Sequence, residues 1–187
     1  MPRHIIIVLE FDSLLLLIVA ILRSASTLRF TIATSSITVG LLFTRTFYVY
    51  FSSVLPKIQA NAAGAADALM LDMDGFVAET NATNVFLVKR GVVYTPLPDA
   101  CLPGITRDKV MQLLRSQTDI SCVECRLSLS EFHAADEVFT TGTMGEITPV
   151  REIDGRIIGS GVRGPVTEFV QELYRRFTET SGVPIPF

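Results

Sequence analysis

The sequence predicts an α+β fold, a mainly antiparallel sheet or barrel packed against helices. Three observations point there. Short apolar runs come in pairs that reverse at glycine-containing turns. Two longer stretches carry apolar residues at helical spacing behind a capping residue or a proline. The 187 residues are enough for one domain with a buried core.

From Pro56 onward the local signals agree with one another. Lys57 to Ala66, KIQANAAGAA, is alanine-rich and stops at Gly64, which fits the last turns of a helix with a glycine cap. ALMLD and FVAE flank Met73-Asp74-Gly75, and NVFLV and VVYTP flank Lys89-Arg90-Gly91, each with the glycine that a tight reversal needs. Thr106 is placed as the N-cap of a helix with Val110, Leu113 and Leu114 on one face. CVECRLSL, from Cys122, alternates as a strand does. Ser130 caps a short helix through Ala135, Glu137 to Thr140 reads as a strand, and Asp154-Gly155 turns a hairpin between VREI and RIIG. Gly164-Pro165 opens the last helix, where the N–H that proline lacks would be unbonded anyway; Phe169, Val170, Leu173 and Phe177 form its buried side.

Residues 1–55 differ from the rest. They hold Arg3, Arg23, Arg29 and Arg45 against Glu10 and Asp12, a local charge of +2 in a chain of net charge −3. Ser13 to Leu22, SLLLLIVAIL, is an apolar run shorter than the roughly 20 residues a membrane-crossing helix needs. Three readings stay open for this end: a membrane anchor or signal-like segment, a buried strand and helix pair, and a misjoined stretch. Thr31 to Phe43, TIATSSITVGLLF, is rich in β-branched residues and reads as a strand. The organisation expected is a divergent hydrophobic segment over 1–51 and a folded unit over 52–187.

Composition excludes some partners. With 16 basic against 19 acidic side chains there is no broad positive field for nucleic acid. Cys101, Cys122 and Cys125 are too few, and odd in number, for a disulfide framework; they read as reduced thiols in a cytoplasmic setting. Cys122-x-x-Cys125 invites a zinc reading, but such a site takes about four ligands. Only His4 and His133 remain besides Cys101, so no metal is expected.

Two segments are shaped as anion cradles. In PGITRD, Gly104 lets the backbone come close, the N–H groups of a helix start are unbonded, and Thr106 adds a hydroxyl, a combination that suits a phosphate. An ordinary capped helix is the alternative. In TTGTMGEITPV, Thr140 to Val150, the hydroxyls of Thr140, Thr141 and Thr143 surround Gly142 and Gly145, which suits a second face of the same anion; a polar turn is the alternative. Neither segment is a Walker loop or a dinucleotide fingerprint.

Glu79 ends an apolar strand just before Thr80, Asn81, Thr83 and Asn84. Pointing inward, it needs a cation or a protonated ring nitrogen to offset its desolvation; pointing outward, it is a strand-end charge. Asn81-Ala82-Thr83 matches a glycosylation acceptor, which matters only in a secreted chain. His133 reads as structural or exposed, and Asp136 with Glu137 as a solvated helix-to-strand junction.

Taken in order, GFVAETNATNVFLVKRGVVYTP, LPGITRDKV, ADEVFTTGTMGEITPV and IDGRIIGSGVRGPVT resemble the C-terminal half of the fold-type IV pyridoxal phosphate enzymes. This is the aminotransferase class IV family of branched-chain and D-amino acid aminotransferases and aminodeoxychorismate lyase. The resemblance covers roughly Ser52 to Pro186 and makes 52–187 a cofactor-binding unit. It implies pyridoxal 5′-phosphate as cofactor, with Glu79 pairing with the pyridine nitrogen. Gly104, Ile105 and Thr106 would hold the phosphate on one side, and Gly142, Thr143 and Met144 on the other. Members similar to the branched-chain enzymes have GTA where this chain has GTM, so Met144 is expected to narrow the substrate side. The resemblance further implies an amino acid and a 2-oxo acid as substrates, or a lyase reaction in the aminodeoxychorismate lyase-like alternative, and a homodimer.

One family feature is missing. The lysine that joins the cofactor as a Schiff base lies about fourteen residues before the alanine matching Ala60, and counting back reaches Thr46, or Arg45 with a one-residue gap. The chain's lysines are Lys57, Lys89 and Lys109, and none matches that position. No catalytic residue is therefore assigned, and transamination is expected to be impaired; the alternative is a non-catalytic remnant of a truncated or misjoined gene.

Overall fold

A computed structural model describes residues 5–9 and 53–182, and the structural statements below concern these. Residues 53–62 form helix α1. Its end follows the glycine: Gly64 has φ +72°, Ala65 N–H reaches Ala60 O at 2.8 Å and Gly64 N–H reaches Asn61 O at 3.1 Å. This pair of bonds needs a left-handed residue, which glycine supplies without a Cβ penalty.

Ten strands make two five-stranded sheets. In the first, β1 (Ile5–Leu9) lies between β2 (Asp67–Leu71) and β9 (Glu152–Ile153), parallel to both. β3 (Val77–Thr80) and β10 (Arg156–Ile157) are its edges. The second sheet runs β6 (Cys122–Glu124), β5 (Val92–Thr95), β4 (Asn84–Lys89), β7 (Glu137–Gly142), β8 (Glu146–Val150). Three of its four pairings are antiparallel, the exception being β5 with β6. The reversals expected at Lys89-Arg90-Gly91 and Asp154-Gly155 both turn through two left-handed residues, Arg90-Gly91 at φ 51° and 78°, with Lys89 still in β4, and Asp154-Gly155 at 49° and 76°.

The second sheet is buried on both faces. From β4, Val85 and Leu87 join Leu69, Leu71, Val77 and Ile153 of the first sheet, whereas Phe86 and Val88 join Val110, Leu114 and Val170 of the helices α2 (Ile105–Gln117) and α4 (Pro165–Thr180). The layers are therefore sheet, sheet, helices. Phe86 and Phe139 are cross-strand partners with rings stacked at 5.0 Å on the helix side; each fully buried phenylalanine of this kind contributes on the order of 1.5–3 kcal/mol. By the two-residue period of strands, Asn84 and Thr141, also directly paired, share that helix-side face.

Several expectations need correction. Thr106 is not the cap of α2; Gly104 is, without any side-chain cap bond, and Thr106 lies in the first turn with its side chain buried. The alternation of CVECRLSL outlasts its strand, which stops at Glu124. Ser128 is already the N-cap of α3 (Leu129–His133), its hydroxyl accepting from Glu131 N–H at 3.4 Å while the Glu131 carboxylate accepts from Ser128 N–H at 2.8 Å. This capping box, rather than Ser130, starts the helix. Phe169 is exposed instead of buried; Thr167 takes the inward place beside Val170.

Glu137 is also no solvated junction. It is buried, and its carboxylate accepts from Val166 N–H at 3.0 Å and Thr167 N–H at 2.7 Å, capping the first turn of α4 from β7. Asp136 does stay at the surface, where it closes the Lys89–Gly91 turn by accepting from Arg90 N–H at 2.6 Å. Ser13–Leu22 and the strand expected over Thr31–Phe43 lie outside the described residues.

Candidate functional site

Where β3 and β7 end and β4 and α2 begin, the chain leaves a cavity of about 370 Å³. Its wall brings together Glu79, Asn84, Gly104, Ile105, Thr106, Thr141, Gly142 and Thr143, residues up to 64 positions apart in sequence.

Glu79 reaches the wall from β3, half-buried. Its Oε2 accepts from Asn84 Nδ2 at 3.1 Å and from Leu102 N–H at 3.2 Å. Burial pushes its carboxyl up to about 7, and the Leu102 N–H holds it back from rising further. A positive group brought into the cavity would favour the charged form and return the carboxyl toward its ordinary range. Burial also pushes the neighbouring Cys101 thiol up to about 11, so it is protonated at neutral pH and a poor nucleophile.

Asn84 joins the parts. The same Nδ2 that donates to Glu79 donates to Leu102 O at 2.8 Å, which ties the carboxylate to the loop before α2. Gly104 packs onto this amide so closely that a Cβ there would overlap Asn84 Oδ1 and lie 3.3 Å from Cγ. Its φ of −68° is open to any residue, so close approach, not backbone conformation, demands glycine here.

The first turn of α2 faces the cavity with N–H groups that have no partner within the helix, and with the Thr106 hydroxyl beside them. Arg107 holds that turn from behind. Buried, it donates to Pro96 O and to Glu124 Oε1, each at 2.8 Å, while Arg115 approaches Glu124 Oε2 at 3.3 Å. The hydrogen bond from Arg107 holds the Glu124 carboxyl below its ordinary range. Arg107 thus has its charge matched by Glu124 and acts as an anchor for the loop.

The opposite wall is the turn after β7. Thr141, Gly142 and Thr143 line the cavity, and a Cβ on Gly142 would sit 2.9 Å from Thr83 Cγ2. Thr140 belongs to the other face, its hydroxyl 3.5 Å from Thr148 O. Met144 is 99% exposed and does not line the cavity. Thr46 and Arg45 lie outside the described residues.

Sequence reasoning passed over Asn84. The signal was a polar residue opening the apolar run NVFLV two places before Phe86, which puts an amide on a buried face and demands partners for it. The chain's lysines all work elsewhere: Lys57 Nζ donates to Ala66 O, Lys89 Nζ pairs with Asp136 at 3.3 Å, and Lys109 Nζ donates to Gln112 Oε1 at 2.9 Å. None lines the cavity. Among the described residues no helix is long and apolar enough to cross a membrane.

Known proteins are similar to this chain over most of its length. Branched-chain-amino-acid aminotransferase-like protein 1 of Arabidopsis thaliana is 59% identical over 135 residues, 72% of this chain and 24% of that protein. A branched-chain-amino-acid aminotransferase of Pseudomonas aeruginosa is 48% identical over 125 residues, 67% of this chain and 40% of that one. The crystal structure of an aminotransferase from Brucella abortus bound to the co-factor PLP superposes with a TM-score of 0.66 at 37% identity, covering 70% of this chain and 46% of that one. This chain therefore spans between a quarter and a half of the length of these relatives. The family profile for amino-transferase class IV matches residues 46–153, beginning at the threonine to which counting assigns the family lysine. With more than half its length inside that match, the chain belongs to the amino-transferase class IV family.

Proposed function

We propose that residues 52–187 hold pyridoxal 5′-phosphate, or its amine form, without a covalent bond, and that transamination by this chain is impaired. The observation that carries this reading is the single cavity that joins a half-buried carboxyl to two glycine-threonine turns and is lined by none of the three lysines.

The residues present fit the cofactor. Gly104 and Gly142 let the cradle walls pack closely against the Asn84 and Thr83 side chains, which a Cβ would strike. Behind them, the N–H groups of the α2 start and the hydroxyls of Thr106 and Thr143 would hold the phosphate. Glu79, aimed by Asn84 and the Leu102 N–H, would keep a proton on the pyridine nitrogen; ring and carboxylate would then be a charge pair instead of a buried lone charge. When bound, the cofactor supplies the electron sink for chemistry at an amino acid's α-carbon.

What the described cavity does not offer is a base for the α-proton. The positions that counting assigns to the lysine hold threonine or arginine, and neither is a base at neutral pH. The amino acid and 2-oxo acid pair, of the branched aliphatic kind named for the relatives, and a homodimer belong to this proposal, as does a role for Met144 toward substrate.

Borohydride reduction of the protein in the presence of pyridoxal phosphate tests it. The expected result is cofactor retained before denaturation and no labelled peptide after it. A labelled lysine peptide would overturn the non-covalent reading and name the missing base.

A further inference from the structure

We infer that Thr141, to which the family resemblance assigns no role, is a direct ligand of the anionic end of whatever occupies the cavity, donating its hydroxyl hydrogen to a phosphate oxygen. The inference rests on the phosphate-ester reading of the site and adds a residue to it.

Three observations carry it. Thr141 is 2% exposed, and its Oγ1 has no hydrogen-bond partner among the described residues although it is buried. Buried hydroxyls are nearly always bonded, because an orphaned one forfeits its hydration with nothing in return. The residue lines the same cavity as the α2 start and the Gly142-Thr143 turn, and strand parity places it on the helix-side face with its cross-strand partner Asn84. Asn84 Nδ2 is taken up by Glu79 and Leu102 O, and the Thr141 hydroxyl makes no bond to the Asn84 oxygen either.

Thr140, one residue earlier, makes the contrast. It faces the other way and its hydroxyl finds Thr148 O at 3.5 Å. Thr141 is thus a donor held ready between the two turns, where the unbonded N–H groups favour negative charge. A hydroxyl that donates there converts its own desolvation into ligand affinity, while the protein without ligand carries the cost.

The test exploits that opposition with Thr141→Val, which keeps the shape and removes the hydroxyl. Binding of pyridoxamine 5′-phosphate is measured by calorimetry, and stability without ligand by thermal unfolding. The variant is expected to weaken binding by roughly 3- to 10-fold, the loss of one hydrogen bond, and to leave the ligand-free midpoint unchanged or raised. Thr141→Ser, which keeps the hydroxyl, should bind within about 2-fold of the parent. Equal binding by parent and valine variant overturns the inference alone. A parent that fails to bind the probe overturns the phosphate-ester reading along with it. A valine variant that unfolds earlier without ligand also overturns it, because the hydroxyl would then have a partner within the protein.

Discussion

Replacing Gly104 with alanine should cost both stability and ligand binding, and the structure sets the size of the effect. A methyl group at this position overlaps Asn84 Oδ1 and lies 3.3 Å from Cγ, so the buried amide has to turn away. Turning it breaks the bonds from Nδ2 to Glu79 Oε2 at 3.1 Å and to Leu102 O at 2.8 Å. Two hydrogen bonds at about 0.5–1.5 kcal/mol each come to about 1–3 kcal/mol. Removing glycine's freedom from the unfolded chain returns about 0.4–1 kcal/mol. The net loss is about 0–2.6 kcal/mol, centred on about 1.3 kcal/mol, which at about 2–4 °C per kcal/mol for a chain of this size lowers the melting temperature by roughly 3–5 °C at the centre of the range. Calorimetric unfolding of Gly104→Ala beside the parent measures it, and pyridoxamine 5′-phosphate binding on the same samples shows whether the loop has lost its shape. If the variant melts with the parent and binds equally, the Asn84 amide does not hold the loop, and the site as described here is wrong.

Two other substitutions probe other parts. Glu79 is a carboxyl raised from about 4.5 to about 7, so its burial opposes folding increasingly as pH climbs from the lower value to the higher. Glu79→Gln, which has no charge to bury, should therefore gain on the parent between pH 5 and pH 8 in urea unfolding; parallel curves would mean that the carboxyl is not desolvated. Glu137→Ala removes the acceptor for the first two N–H groups of α4 after Pro165 and should cost about 1–3 kcal/mol, with faster hydrogen exchange at Val166 and Thr167. Unchanged exchange there would remove Glu137 from its capping role.

Much of this site is legible in the chain because glycine and threonine mark it locally. Gly104 and Gly142 stand where the backbone must come close, and Glu79 stands near the end of an apolar strand beside a polar stretch, although the sequence leaves open whether it points inward or outward. The family blocks then put these pieces in order. What sequence reading misses is what only pairing reveals. Asn84 and Thr141 become neighbours through the register of β4 and β7, although they stand 57 positions apart in sequence. Glu137 reads as a surface acid until α4 brings its first turn over the carboxylate, and the helix start at Ser128 is hidden because RLSL continues the alternation of the strand before it. Thr106 shows the reverse error: a good capping residue one turn into a helix, where glycine takes the cap because a side chain there would strike Asn84.

Equilibrium binding of pyridoxamine 5′-phosphate compared with pyridoxamine tests most directly that residues 52–187 hold the cofactor by its phosphate without a covalent bond, since neither compound can be captured by a lysine. The phosphate-bearing compound should bind to the purified protein at least about 10-fold more tightly, and Glu79→Gln should weaken it. Equal affinity for the two, or no binding of either, would contradict the cradle formed by Gly104–Thr106 and Gly142–Thr143.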